Sequence, residues 1–186
     1  RPGRRGAPAD ALDASAGGGS GPAKGGGYAT ADETHPGAVE CDFPWLEDEV
    51  GRLVADGYLP IFTFQHQEYY SPEARPGQLE DFHRVADAGA FIVSGSQAHQ
   101  PHGMTFYNGS TVMYGLGNLF FDQLLNSEDT SRALVARHII YDGRHISTEI
   151  ITIYFADFSK PLYLEGDGRR RLLGQVFDAS EWGELN

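Results

Sequence analysis

Two short polar clusters each follow an apolar run. Gln65-His66-Gln67-Glu68-Tyr69-Tyr70 comes directly after Leu59-Pro60-Ile61-Phe62-Thr63-Phe64, and Gly95-Ser96-Gln97-Ala98-His99 follows Ala90-Phe91-Ile92-Val93-Ser94. His66 and Glu68 lie two apart, so in an extended segment they share a face. An imidazole beside a carboxylate can ligate a metal or divide the roles of acid and base. The same residues can equally form a hydrogen-bonded loop that caps a sheet. His99 closes the second cluster, where Gly95 lets the backbone turn or approach a ligand closely. A third unusual stretch is Tyr114-Gly115-Leu116-Gly117-Asn118-Leu119-Phe120-Phe121-Asp122. Its glycines permit a tight backbone path, Asn118 can orient a ligand, and Asp122 can cap a helix or pair with a cation. Phe120 and Phe121 read as core.

The remaining histidines carry less. His102 is near enough to His99 to support it from behind. His83 falls on a helical stripe, and His138 and His145 fall in a β-ribbon, so these three read as structural. Arg169-Arg170-Arg171 reads as a solvated helix face. The chain contains no Gly-x-Ser-x-Gly, no Walker loop, no His-Glu-x-x-His and no EF-hand pattern.

The elements that must position these groups follow from periodicity and turn chemistry. Asp42-Phe43-Pro44 opens a helix with Pro44 in its first turn, and Gly57 ends it. The continuous apolar run at 59–65 predicts a strand buried on both faces and therefore parallel. Leu79, Phe82, His83 and Ala86 mark the inward stripe of a helix that stops at Gly89, and 90–94 is the next strand. This strand–helix–strand unit puts both polar clusters at carboxyl ends of strands, where open α/β sheets bind ligands. Asn108-Gly109 and Asp142-Gly143 each separate two β-rich runs, a strong signal for a hairpin with a type I′ turn. A last helix is expected at roughly 168–182. The fold class is α/β with a mixed sheet, parallel-like at its start and antiparallel at its end. Residues 1–27, rich in Gly, Ala and Pro, predict a disordered tail, and 28–186 one domain.

A formal net charge of −12 argues against nucleic acid as a partner and against docking on an anionic membrane. Cys41 is the only cysteine, which excludes an intrachain disulfide and a zinc site built on several thiols. No run of about 18 apolar residues offers a membrane-spanning helix. The chain starts at Arg1 without an apolar signal core, which reads as a fragment of a longer protein.

Taken in order, the three stretches resemble the bacterial CapA-type capsule-synthesis, or poly-γ-glutamate biosynthesis, family of the calcineurin-like metallophosphoesterase superfamily. That family shows a strand, then His-Trp-Gly-x-Glu-Tyr, then a helix ending in an Asp-Ala-Gly-Ala-type turn. Gly-Ser-His-Pro-His and Tyr-Ser-Leu-Gly-Asn-Phe-x-Phe-Asp follow. The counterparts here are Gln65 to Tyr69, Asp87-Ala88-Gly89-Ala90, Gly95 to His99 and Tyr114 to Asp122. Glu68 and Tyr69 match the Glu-Tyr pair, and His99 matches the second histidine of Gly-Ser-His-Pro-His. Gln97 replaces the first. The earlier histidine falls on Gln65, or on Phe64 if no gap is allowed, with His66 beside it as a substitute.

The resemblance implies the C-terminal half of a metallophosphoesterase-like α/β/β/α sandwich and an extracellular or cell-envelope location. Its implied site is a polar cleft lined by Gln65, Gln97 and Asn118, with His66, Glu68 and His99 as candidate catalytic groups. His66 and His99 are the candidate ligands of a divalent ion (Mn, Fe or Zn). The implied partners are an anionic or polyhydroxylated polymer or its precursor and a membrane-bound synthase complex. Two family ligands have become amides and the upstream half of the dinuclear centre is absent, so the chain as given is not expected to be a competent phosphoesterase. The alternatives are a metal-dependent hydrolase completed by a missing N-terminal half, and a structural partner whose cleft is vestigial.

Overall fold

The computed structural model describes residues 41–66, 70–121, 128–157 and 160–182. The chain divides after Asp42, and the second unit, from Phe43 onward, carries every element described below. The expected tail boundary at residue 27 lies outside the described residues, as do Glu68 and Asp122.

The first sheet is built as the sequence reading expects. Helix α1 (Phe43–Ala55) leads to β1 (Ile61–Gln65), α2 (Pro76–Asp87) and β2 (Ile92–Ser96), and β3 (Met104–Tyr107) and β4 (Ser110–Met113) form a hairpin. Strand order is β1-β2-β4-β3, with β1, β2 and β4 parallel and β3 antiparallel to β4. At the hairpin turn, Asn108 and Gly109 have φ of 47° and 81°, the two positive values a type I′ turn requires.

One face of this sheet packs on the helices. Phe64, Val93, Val112 and Tyr114 meet Phe82, Val85 and Ala86 of α2 and Val50 of α1. The expectation that β1 is buried on both faces is not met. It is an edge strand among the described residues, with Phe64 its only buried residue and Ile61 62% exposed. An unbroken apolar run records low polarity, and it cannot tell a central strand from an edge one.

The second sheet is an antiparallel meander of β5 (Arg132–Tyr141), β6 (Arg144–Ala156) and β7 (Lys160–Tyr163). Asp142 and Gly143 repeat the two-residue positive-φ turn at 49° and 71°. A short 3-10 turn, Glu128–Ser131, precedes β5, and helix α3 (Gly166–Asp178) follows β7. A second core joins Met104 and Met113 of the first sheet, Leu134 of β5, and Leu172 and Val176 of α3. The segment after β4 also joins the second sheet, because the Leu134 N–H donates to the Leu116 carbonyl at 2.7 Å.

Close backbone approach fixes the relation of β2 to the segment after β4. A Cβ on Gly95 would lie 2.0 Å from the Tyr114 carbonyl oxygen, and that oxygen already accepts from the buried Gln78 amide at 2.8 Å. Nothing in that spot can give way cheaply, since the obstacle is backbone. Gly95→Ala is therefore expected to lower stability by about 3 kcal/mol, as overpacking does. Gly77→Ala is the control. It lies in α2 with nothing within 4 Å of a new Cβ, and should hold or raise stability by about 0.5 kcal/mol. Urea denaturation of both variants checks the contrast.

His83 does behave as a structural residue. Its ring stacks on Tyr107 at 3.7 Å, and its Nε2 lies 3.0 Å from the Tyr114 hydroxyl. Burial pushes its pKa below the ordinary imidazole value, against the opposing pull of Glu181 and Asp87. A folded-state pKa below the unfolded one means that the unfolded chain takes up the proton first on acidification. The contribution is thus fully present above the ordinary histidine pKa and is lost as pH falls through and below it. Stability curves between pH 7.5 and 5 should fall less steeply for His83→Gln than for the parent.

Candidate functional site

The cleft opens at the carboxyl ends of β1, β2 and β4, against β5. Its volume is about 460 Å³. Register puts Thr63 opposite Ser94 and Gln65 opposite Ser96, so alternate residues of both strands turn hydroxyls and an amide toward the sheet face away from α2. Thr63 Oγ1 and Ser94 Oγ are 3.1 Å apart, and Gln65 Nε2 donates to Gln97 Oε1 at 2.7 Å. Thr63, Ser94, Ser96, Gln97, His99 and Asn118 supply the polar lining, while Leu134, Val135 and Ala136 supply an apolar wall. Among the described residues, none that lines the cleft is Asp, Glu, Lys or Arg.

His99 is held by a small, closed network. Asn118 is buried, and its Nδ2 donates to the carbonyls of Thr130 (3.0 Å) and His99 (3.2 Å). Those two donations fix the amide orientation, so Oδ1 is the atom that faces His99 Nδ1 at 2.7 Å. An amide oxygen can only accept, so Nδ1 carries the proton in this arrangement. The Thr130 carbonyl is itself held in place. Buried Arg132 pairs with Glu128 and Asp129 and locks the 3-10 turn around it. Phe121 stacks on the His99 ring at 5.2 Å, and Tyr70 lies over it at 6.4 Å.

The backbone near the cleft is strained where the loops turn. Gln97 and Phe120 have φ of 75° and 60° without being glycine. Each such residue costs on the order of 1–3 kcal/mol, and strain of this kind concentrates at functional sites.

Three of the sequence-selected residues, Gln97, His99 and Asn118, line the cleft, and Gln65 reaches it through Gln97. His66 does not line it. Its Nε2 lies 3.0 Å from Asp81 Oδ2 on α2, and its ring packs edge-on to Phe64 and Phe82 on the helix side of the sheet. Strand parity explains this, because His66 is two residues past Phe64. Its buried Nδ1 has no hydrogen-bond partner among the described residues. Glu68 lies outside those residues. Phe120 and Phe121, read as core, are exposed instead, and Phe121 covers His99. His102 is buried beneath Gly115, away from the cleft lining.

Sequence reasoning passed over Thr63, Ser94 and Ser96. The available signal was the polar residue at every second position of two adjacent strands. The candidate metal was assigned to His66 and His99. These two sit in separate surroundings, and no three His, Cys, Asp or Glu side chains gather as ligands among the described residues. The described donor set therefore does not fit a shared ion at His66 and His99.

Replacing Asn118 by Leu would remove the amide donations to the Thr130 and His99 carbonyls and release the His99 ring. A stability loss of about 2–3 kcal/mol is expected. In the parent protein, ¹⁵N spectra of the imidazole should report the Nδ1–H tautomer at His99, and the variant should lose that preference.

Comparison with known proteins adds the following. The family model described as "Bacterial capsule synthesis protein PGA_cap" matches residues 12–123. Similar proteins include the "Probable polyglutamine synthesis accessory protein" of Mycobacterium tuberculosis, in strains CDC 1551 and H37Rv. Each is 28% identical over 79 residues, which cover 41% of this chain and 21% of the relative. The chain thus spans about a fifth of the length of the curated relatives it matches.

Proposed function

This chain belongs to the bacterial capsule synthesis protein family PGA_cap, and from that premise we propose that its cleft binds a polar segment of a capsular polymer or of its precursor. The family places it in capsule-related biosynthesis. The finer reading, a poly-γ-glutamate-type polymer handled at the cell envelope beside a membrane-bound synthase complex, is ours. No described helix is long and apolar enough to cross a membrane.

One observation carries the reading. Hydroxyls and amides from β1, β2 and the loop after β2 converge on one cleft at the strand ends, with His99 oriented among them. Because the described lining carries no carboxylate, lysine or arginine, recognition by these residues works through hydrogen bonds to hydroxyl or amide groups. The net charge of −12 weighs against long-range attraction of a polyanion. A polyhydroxylated segment, or the amide backbone of a polyglutamate, suits such a lining.

A second reading is a metal-dependent phosphoesterase-type hydrolase. It is favoured by the His99–Asn118 contact, since ligating histidines characteristically donate their other ring N–H to an oxygen acceptor. It needs further ligands from residues outside the described set, and no step is assigned to it.

Calorimetric titration with poly-γ-glutamate and with a neutral oligosaccharide tests the binding reading. Saturable binding of at least one is expected, weakened roughly fivefold in Ser94→Ala and in Gln97→Ala, about 1 kcal/mol for each hydrogen bond lost. The affinity should change little between 50 and 500 mM salt, because screening acts on charge and not on neutral hydrogen bonds. Absence of binding to both would end the proposal. Stoichiometric Mn, Fe or Zn in the purified protein, lost in His99→Ala, would favour the hydrolase.

A further inference from the structure

The β5–β6 ribbon carries a side-chain cluster that the cleft does not use. His138 sits on β5 opposite Thr148 on β6, and the register then shifts, so that Ile140 pairs with His145. One extra residue on β6, Ile146, absorbs the shift. In a regular strand Thr148 and Ile146 would share a face. The bulge instead turns His145 to the face of Thr148 and His138. Bulges are known for re-aiming a side chain in this way.

Three donor atoms converge as a result. His138 Nδ1 lies 2.8 Å from Thr148 Oγ1, His145 Nε2 lies 2.7 Å from the same oxygen, and the two nitrogens are 3.4 Å apart. All three residues are partly buried, so the cluster is shielded yet reachable. The ring of Phe91 packs edge-on to His145 at 6.2 Å and restrains its plane. Arg137 and Glu149, next to His138 and Thr148 on the two strands, pair with each other, and by alternation they occupy the other face.

We propose that His138, His145 and Thr148 form a cross-strand binding site for a borderline divalent transition ion such as Zn²⁺. Bonds from Zn to imidazole nitrogen are about 2.0–2.1 Å, so two nitrogens 3.4 Å apart subtend about 110° at a shared ion, which is the tetrahedral angle. Imidazole pairs suit Zn, Cu and Ni over Mg or Ca. The Thr148 hydroxyl now bridges the nitrogens, and it marks where a third donor, the hydroxyl or a water, completes the ion's shell. Burial, together with the neighbouring His145, holds the His138 pKa below the ordinary imidazole value. The ion would clip β5 to β6 across the bulge and stiffen a ribbon whose tip is otherwise solvent-exposed. Neither histidine lines the cleft, so the site stands apart from the proposed function.

Zn²⁺ titration of the intact chain, followed by the ring resonances of its histidines, is the test. One equivalent should shift the His138 and His145 signals together. Affinity should drop at least tenfold in His138→Ala and in His145→Ala, and only a few-fold in Thr148→Val. Excess Zn²⁺ should raise the melting temperature of the parent and not of either histidine variant, because binding to the folded state alone adds stability. The ring signals of the parent decide the matter even if a variant fails to fold. No shift in them with Zn²⁺, or an affinity in both alanine variants equal to that of the parent, would overturn the proposal.

Discussion

Everything at the strand ends depends on how closely two backbones can run. Gly95 on β2 faces the Tyr114 carbonyl at a separation that no side chain could occupy, and Gly115 is pressed against Ala98 and His102 in the same way. These two absences of a Cβ let the loop after β2 and the loop after β4 lie against each other. The contact is then secured by hydrogen bonds, with the buried Gln78 amide on the Tyr114 carbonyl and the His102 N–H on the Gly115 carbonyl at 3.0 Å. Only after that approach is made can Asn118 reach His99. The site's central polar contact is thus a consequence of backbone packing one layer below it.

The second sheet is held to the same region by the same stretch of chain. Gly117 bridges to Ala133, and a Cβ on Gly117 would lie 2.7 Å from the Arg132 carbonyl. Asn118 spends one amide hydrogen on the Thr130 carbonyl, just before β5 begins. One residue therefore ties three segments together: the loop after β2, the loop after β4, and the entry to the second sheet. A buried amide with all its donors engaged is worth more for specifying an arrangement than for its net energy, which is about 1 kcal/mol per bond.

Legibility in the sequence followed the range of the physics involved. Asn108-Gly109 and Asp142-Gly143 announced their hairpins because type I′ geometry is a local requirement of two residues. The strand–helix–strand unit was readable from periodicity, and so was the place where its polar ends would lie. What periodicity did not give was the side of the sheet taken by a residue just past a strand. His66 was read as part of the cleft; it follows the parity of Phe64 toward α2 and meets Asp81. Phe121 looked like core because it is apolar, yet it is exposed and covers His99. His138 and His145 read only as structural residues of a ribbon; regular alternation does not bring positions 145 and 148 to one face, and a bulge is not written in composition.

The boundary of the family match falls in an instructive place. It ends at residue 123, after the loop that carries Asn118 and Phe121 and before the second sheet begins. The hydroxyl and amide lining of the cleft therefore lies within the matched segment. The opposing wall, Leu134, Val135 and Ala136, lies beyond it, as does the histidine pair on the ribbon. A wall of apolar side chains against a floor of neutral hydrogen-bonding groups admits a ligand with one polar and one apolar edge, which both a sugar ring and an extended amide backbone possess. In the proposed reading, the polar floor would fix which groups are recognised. The spacing of β5 from that floor fixes how thick the ligand may be, and that spacing is set by the Leu134–Leu116 and Asn118–Thr130 hydrogen bonds. Under the proposed binding reading, selectivity would accordingly be a property of the joint between the two sheets and not of either sheet alone.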